Sequence, residues 1–267
     1  MSKVVLVTGA SSGFGHAIAQ RLAAQGHTVF GTARKPNGNL GKVRMIALDV
    51  TDDLSVRRAI DEVIAAAGRI DVLVNNAGVG ICGAIEDTSL DEARWQMETN
   101  FFGTVRTIHT VIPHMRARGA GRIINVSSLA GLIGLPFQAY YSASKFAVEA
   151  LNEALRMELS GTGIDSTNIN PGDFKTGFTA ARVFTRQALI GHHANQLTTT
   201  VGMYERDENN GADPALVADL VARLVMQQRV SVRYTVGRFD QRMSTVLKRI
   251  IPAWLFERIM KGTYAIK

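Results

Sequence analysis

Short apolar runs alternate along this chain with longer segments in which apolar residues recur every three or four positions. Residues 3–7 form a β-branched apolar run that stops at Thr8-Gly9, and a helical pattern over 15–25 follows, ending at Gly26. The alternation continues, with strands predicted over 28–32, 44–48, 71–75, 122–126 and 166–170 and helices over 54–67, 90–118 and 141–159. Apolar strands separated by helices pair as βαβ units. The pattern therefore predicts an α/β fold with a doubly wound parallel sheet covered by helices on both faces.

Beyond this point the pattern changes. Residues 173–210 show no clear period and read as a mobile substrate loop with some helix. Asp213-Pro214 has the form of a helix cap followed by proline at the first helical position, opening a helix to about residue 228, and 231–236 reads as one more strand. The tail over 238–267 carries two helical segments split by Pro252. With no repeat, low-complexity tract or linker, the 267 residues read as a single domain.

Composition narrows the function classes. Cys82 is the only cysteine, which excludes an intrachain disulfide and a cysteine-based zinc site. No apolar run approaches the roughly 20 residues that cross a bilayer, and Met1-Ser2-Lys3 leads straight into the first strand without signal-peptide architecture. A soluble, cytoplasmic protein is expected. The net charge of +7 suits nucleic acid, an anionic membrane or a polyphosphate cofactor, and does not choose among them.

The choice comes from the turn after the first strand, Thr8-Gly9-Ala10-Ser11-Ser12-Gly13-Phe14-Gly15. Glycines here allow a tight bend and let backbone amides at a helix N-terminus approach a diphosphate. The strand–turn–helix setting is what a dinucleotide site requires. NAD-binding versions carry an acidic residue about 20 residues further on, to hold the ribose 2′-hydroxyl. No acid occurs here between Gly15 and Asp49; the second strand instead ends Thr32-Ala33-Arg34-Lys35. A guanidinium suits a 2′-phosphate, so NADP(H) is predicted over NAD(H), and no nucleic-acid partner is expected.

The chain resembles the short-chain dehydrogenase/reductase family. TGASSGFG matches its TGxxxGxG, Asn75-Asn76-Ala77-Gly78 its NNAG, Tyr141-Ser-Ala-Ser-Lys145 its YxxxK, and Pro171-Gly172 with Thr176 its PGxxxT. Asn100 falls where the family has a helix asparagine, and Ser128 lies at the usual spacing before Tyr141. The match runs in order from Lys3 to about Thr176. The resemblance implies seven strands, a nicotinamide cofactor and alcohol/carbonyl redox chemistry. It further implies that Gly9, Ser11, Ser12, Gly13, Phe14, Gly15, Arg34, Asp49, Val50, Asn76, Ala77, Gly78, Pro171, Gly172 and Thr176 line the cofactor cleft, together with Tyr141 and Lys145. The segment at Pro171-Gly172 and the tail also resemble, more loosely, the branch that reduces steroid- or retinoid-like substrates.

Reducing a ketone needs a proton source and stabilisation of developing oxyanion charge. Tyr141 and Lys145, four apart on a helix, share one face, where the ammonium favours phenolate. Tyr140 has Ser144 four residues on and is set aside. Ser128 reads as hydrogen-bond donor to the substrate oxygen, with Ser127 one residue off the spacing. By resemblance Asn100 holds a water beside Lys145; its alternative role is a buried amide bracing the helix. His192-His193 lacks a third ligand, so no metal is expected.

The tail places Trp254 and apolar residues at helical spacing among Lys248, Arg249, Arg258 and Lys261. It reads first as a cover over a hydrophobic pocket or a subunit contact, and second as a membrane-surface helix. The expectation is a small hydrophobic carbonyl or alcohol substrate in a homodimer or homotetramer. The rival readings are a noncatalytic NADP-binding regulator and an epimerase or dehydratase, which usually needs a larger C-terminal domain.

Overall fold

The computed structural model describes residues 2–266. Its strands are β1 (Val4–Val7), β2 (Thr28–Ala33), β3 (Arg44–Ala47), β4 (Val72–Asn75), β5 (Ile81–Cys82), β6 (Gly121–Val126), β7 (Ile164–Pro171), β8 (Val183–Phe184) and β9 (Arg233–Val236). Its helices are α1 (Gly13–Ala24), α2 (Asp53–Ala67), α3 (Leu90–Met97), α4 (Gly103–Arg118), α5 (Ala139–Glu158), α6 (Ala194–Asn209), α7 (Ala215–Met226), α8 (Phe239–Ile250) and α9 (Ala253–Thr263). Seven strands pair in the order β3-β2-β1-β4-β6-β7-β9, all parallel. This is the doubly wound sheet expected from the alternation, and strand order reverses between β1 and β4.

Each strand feeds both faces. In β1, Val5 and Val7 pack with Ile18 and Leu22 of α1 and Val217 and Val221 of α7. Val4 and Leu6 point the other way, onto Ile60 of α2, Val111 of α4 and Leu155 of α5. Continuous burial of Val4-Val5-Leu6-Val7 follows from helices on both sides, which removes the polar alternation of a half-exposed strand. A ladder of buried asparagines crosses the sheet in register. Asn75 Nδ2 donates to Asn125 Oδ1, Asn125 Nδ2 to Asn168 Oδ1, both at 3.0 Å, and Thr107 Oγ1 donates to Asn75 Oδ1 at 2.6 Å. The amides satisfy one another, which the burial of each demands.

One expectation needs correction. The helix read over 90–118 is interrupted by a π-helical turn, Glu98–Phe102, between α3 and α4. Apolar period alone does not register one inserted residue, and such turns mark functional sites. The stretch over 173–210, read as a substrate loop with some helix, holds the 16-residue α6. Its Thr198-Thr199-Thr200 and Gly202 weaken helix propensity, but Leu197, Val201 and Tyr204 pack on Cys82 and Ala188 and hold it. The same stretch supplies β8, which pairs with β5 in a small separate parallel ladder. Other boundaries fall close to expectation, and Asp213 Oδ1 accepts from the Ala215 amide as its cap role requires.

Candidate active site

The glycine turn and the Asn75–Gly78 segment interlock. Asn76 Nδ2 donates to the carbonyls of Thr8 and Gly9 at 2.9 and 3.0 Å. Thr8 Oγ1 accepts from the amides of Asn76 and Ala77 at 2.9 and 3.0 Å. Gly9 has a φ of +65°, and a Cβ there would stand 2.9 Å from the Ala77 Cα. On Gly15 a Cβ would meet the Gly9 carbonyl oxygen at 2.3 Å, so the helix can seat against the turn only without a side chain.

The turn leaves an anion site. Ser12 caps α1 without a side-chain hydrogen bond, and the first turn holds no acid. Its amides and the positive end of the helix dipole are left for a ligand, which is the donor set that fits a diphosphate. Thr176 faces Gly13 across this space, with its Cβ 3.9 Å from where a Gly13 side chain would begin.

A cleft of about 650 Å³ runs from here along the carboxyl ends of the strands. At one end lie Arg34, Asp49 and Val50, beside Gly9, Ser11, Ser12, Gly13 and Phe14. Arg34 is exposed and has no ion-pair or hydrogen-bond partner among the described residues. Asp49 Oδ1 accepts from the Thr51 amide and hydroxyl at 2.9 and 2.7 Å. Desolvation works against ionisation, but these bonds and the charges of Arg34 and Arg106 outweigh it, and the carboxyl stays below its usual range.

The middle and far end hold Asn76, Ala77, Gly78, Ser128, Tyr141, Lys145, Pro171, Gly172 and Thr176. Two predicted residues stand behind the wall. Gly15 serves the packing just described. Asn100, on the π turn, is 1% exposed and braces the backbone: its Oδ1 accepts from the Val79 amide at 2.8 Å, and its Nδ2 donates to the Val79 carbonyl at 3.0 Å and to Ser144 Oγ at 3.1 Å. Gln96, one turn earlier and fully buried, holds Val79 and Ile81 in the same way.

Tyr141 and Ser128 both line the cleft. Burial pushes the Tyr141 phenol up to about 12, against the Ser128 hydrogen bond, which favours phenolate. Ser128 Oγ also accepts from the Ala130 amide at 3.1 Å, which fixes its rotamer. Lys145 Nζ lies 5.8 Å from the Tyr141 ring centre and donates to the Val126 carbonyl at 2.9 Å. The ammonium is thus anchored on β6 rather than on the phenol oxygen. Burial brings Lys145 down to about 8, opposed by the charge of Glu149 one turn further along α5. Ser127 Oγ is buried without a partner, so the adjacent serine packs inward.

Sequence reasoning missed the support below this pair. Glu149 is buried, accepts from Asn170 Nδ2 at 2.7 Å, and lies 3.2 Å from Arg233 Nε on β9. Asn170 Nδ2 also reaches the Ser128 carbonyl at 3.0 Å. One buried carboxylate is therefore linked to both the Lys145 helix and the Ser128 backbone. Glu149 does stand at the helical spacing after Lys145, the one signal that could have found it.

The far end is walled by Leu135, Phe178, Val183, Tyr204 and Tyr264, with the carboxyls of Asp173 and Glu208; all but Leu135 come from the stretch read as a substrate loop and from the tail, though the sequence singled out none of them. The Phe178 and Tyr141 rings lie 5.6 Å apart. Burial, with Glu208 and Asp207 nearby, raises Asp173 to about 6. Among the described residues no group of three or more His, Cys, Asp or Glu is placed to hold a metal, and His193 pairs with Glu86 at 3.1 Å.

Residues 3–187 match the family model described as short chain dehydrogenase. A "3-ketodihydrosphingosine reductase" of Bacteroides thetaiotaomicron is 42% identical over 268 residues, covering 99% of this chain and 99% of that one. The crystal structure of a short-chain dehydrogenase from Streptomyces avermitilis superposes with a TM-score of 0.81 at 32% identity, covering 98% of this chain and 99% of that one. A short chain dehydrogenase/reductase from Burkholderia phymatum in complex with NAD gives 0.75 at 26% identity, covering 87% and 88%. The motifs, the sheet order and these similarities agree, and the chain belongs to the short-chain dehydrogenase/reductase family of oxidoreductases.

Proposed function

We propose that the protein uses NADP(H) to interconvert a hydrophobic ketone and its secondary alcohol, and that the ketone lies on a long-chain sphingoid base or a close analogue. The observation that carries the reading is the placement of Ser128, Tyr141 and Lys145 on one cleft whose far end is aromatic and apolar. The similarity to the Bacteroides reductase supports the substrate class. The Asp173 carboxyl suits a cation near the ketone, as an amino ketone carries, whereas Glu208 is already paired with the buried Arg182. Arg34, exposed at the adenosine end and in no ion pair among the described residues, supports the 2′-phosphorylated cofactor.

When bound, NADPH supplies the hydride to the carbonyl carbon. Ser128 hydrogen-bonds the carbonyl oxygen and holds it beside Tyr141. Tyr141, protonated through neutral pH, gives that oxygen its proton and is reprotonated from solvent. Lys145 keeps a positive charge under the site and steadies the phenolate left behind. Gly9 to Phe14 and Thr176 hold the diphosphate, and Asp49, Val50 and Asn76 to Gly78 frame the adenine and ribose. A cytoplasmic assembly of two or four chains fits the family.

The test is NADPH and NADH oxidation against 3-ketodihydrosphingosine and steroid, aliphatic and aromatic ketones. Preferential turnover of the long-chain amino ketone with NADPH is expected. Tight NADPH binding without turnover of any carbonyl would identify a noncatalytic regulator, and preference for NADH would overturn the role of Arg34. Tyr141→Phe is expected to lower turnover by roughly 10²- to 10⁴-fold with NADPH affinity retained.

A further inference from the structure

Helix α8 is inside out. On α8 the side facing the body is polar: Gln241 Oε1 accepts from the Asp173 amide at 3.1 Å, Lys248 Nζ donates to the Leu132 carbonyl at 2.6 Å, and Thr245 is buried. The opposite side carries Phe239, Met243, Val246, Leu247 and Ile250, spaced to form one stripe, and all are exposed. Phe239 is 76% and Ile250 74% exposed. Helices of a water-facing surface show the reverse arrangement.

The stripe continues across Pro252 onto α9, where Trp254 is 66% exposed. Cations border it. Between residues 238 and 261 the chain has six cations against two acids. Arg238 and Lys261 pair with Asp240 and Glu257, which uses both acids. Arg242, Arg249 and Arg258 are exposed and have no acidic partner among the described residues. A contiguous apolar stripe with a tryptophan and unpaired arginines at its edge matches the boundary of an anionic bilayer. There the apolar side chains enter the acyl layer and the guanidiniums meet phosphates.

We propose that α8 and α9 dock the protein on the surface of anionic lipid bilayers. The position of the helices gives docking a consequence. Gln241 is bonded to Asp173, and Tyr264, just after α9, lines the far end of the cleft. Docking therefore sets the substrate end of the cleft beside the lipid, and an apolar substrate can pass from the bilayer without crossing water. No helix of the structure is long and apolar enough to cross a membrane, so the contact is interfacial.

The experiment is flotation of the full chain with phosphatidylcholine vesicles and with mixed phosphatidylcholine–phosphatidylglycerol vesicles, at low and high salt. Co-flotation with the anionic vesicles, weakened by salt, is expected. Ile250→Asp/Trp254→Asp removes two exposed anchors that no interior contact needs and is expected to lower the bound fraction at least about tenfold. Circular dichroism and turnover of a short water-soluble ketone report whether the variant folds and works, separately from the lipid. Arg249→Glu/Arg258→Glu keeps the stripe intact and is expected to abolish the preference for anionic lipid. Absence of co-flotation overturns the proposal, as does undiminished binding by the Asp variant. Conversion of an oligomer to monomers by that variant, with no vesicle binding by the parent, would assign the stripe to a second copy of the chain instead.

Discussion

Glu149→Gln separates a positioning carboxylate from a packing one. Glutamine keeps the shape and the oxygen that accepts from Asn170 Nδ2, so the Ser128 carbonyl contact survives. What disappears is a negative charge one helical turn from Lys145. At roughly 6 Å and an effective dielectric of about 20, that charge is worth about 3 kcal/mol, or about two pKa units. Lys145, already brought down to about 8 by burial, would fall further without it. The neighbouring Arg233 acts in the same direction, since it loses one carboxylate and keeps only Glu153.

The sign of the effect follows from which form is active. Lys145 is cationic below its pKa, and the proposed chemistry needs the cation. Reduction should therefore fail on the alkaline side, with the failing limb one to two pH units lower in the variant than in the parent. The assay is kcat for NADPH-dependent ketone reduction at saturating substrates between pH 5.5 and about 9.5, with NADPH affinity measured in parallel. Rates that converge toward the acid end are the expected signature. A uniform loss at every pH, with the limb unmoved, would refute the reasoning and leave Glu149 a structural residue.

Arg34→Ala is expected to reduce kcat/KM for NADPH by roughly 10- to 100-fold while leaving NADH nearly unchanged, as the loss of a charge-assisted contact to one phosphate predicts; steady-state kinetics with both cofactors decide it. Gly15→Ala forces a Cβ against the Gly9 carbonyl oxygen and is expected to cost at least about 3 kcal/mol with loss of NADPH binding, read by urea unfolding and fluorescence titration. Asp173, raised to about 6, is more protonated folded than unfolded between about pH 4 and 6, so its ionisation removes stability as pH rises through that window. Asp173→Asn is expected to flatten that slope, gaining up to about 3 kcal/mol at pH 7 relative to pH 4.

The parts of the molecule that were legible in the sequence have local causes. A buried parallel strand must be apolar on both faces, as Val4-Val5-Leu6-Val7 is, and a tight bend must be glycine, so period and composition report both. The parts that were not legible depend on distant chain segments. Nothing near Glu149 announces Arg233, because they meet only when β9 pairs beside β7. The asparagine ladder needs the registers of β4, β6 and β7 at once. Residue α6 positions Leu197, Val201 and Tyr204 keep a helical spacing, yet three threonines and a glycine among them blur it until Cys82 and Ala188 supply the other half of the contact.

In the proposed chemistry, burial sets the resting forms of Tyr141 and Lys145. A phenol near 12 is fully protonated at neutral pH and serves as an acid, which is what carbonyl reduction asks of Tyr141. Alcohol oxidation asks for phenolate above a charged Lys145. With the ammonium near 8, these two forms have almost no shared pH range in the protein alone. Burial creates this gap by moving both groups toward their neutral forms, and only nearby charge can narrow it. Glu149 narrows it from below by supporting the ammonium, and Ser128 narrows it from above by donating to the phenol oxygen. The row Tyr141, Lys145, Glu149 on α5 is thus a graded sequence of acid, cation and counter-ion. In that sequence burial keeps the Tyr141 phenol protonated at neutral pH, the form from which the proposed reduction draws its proton.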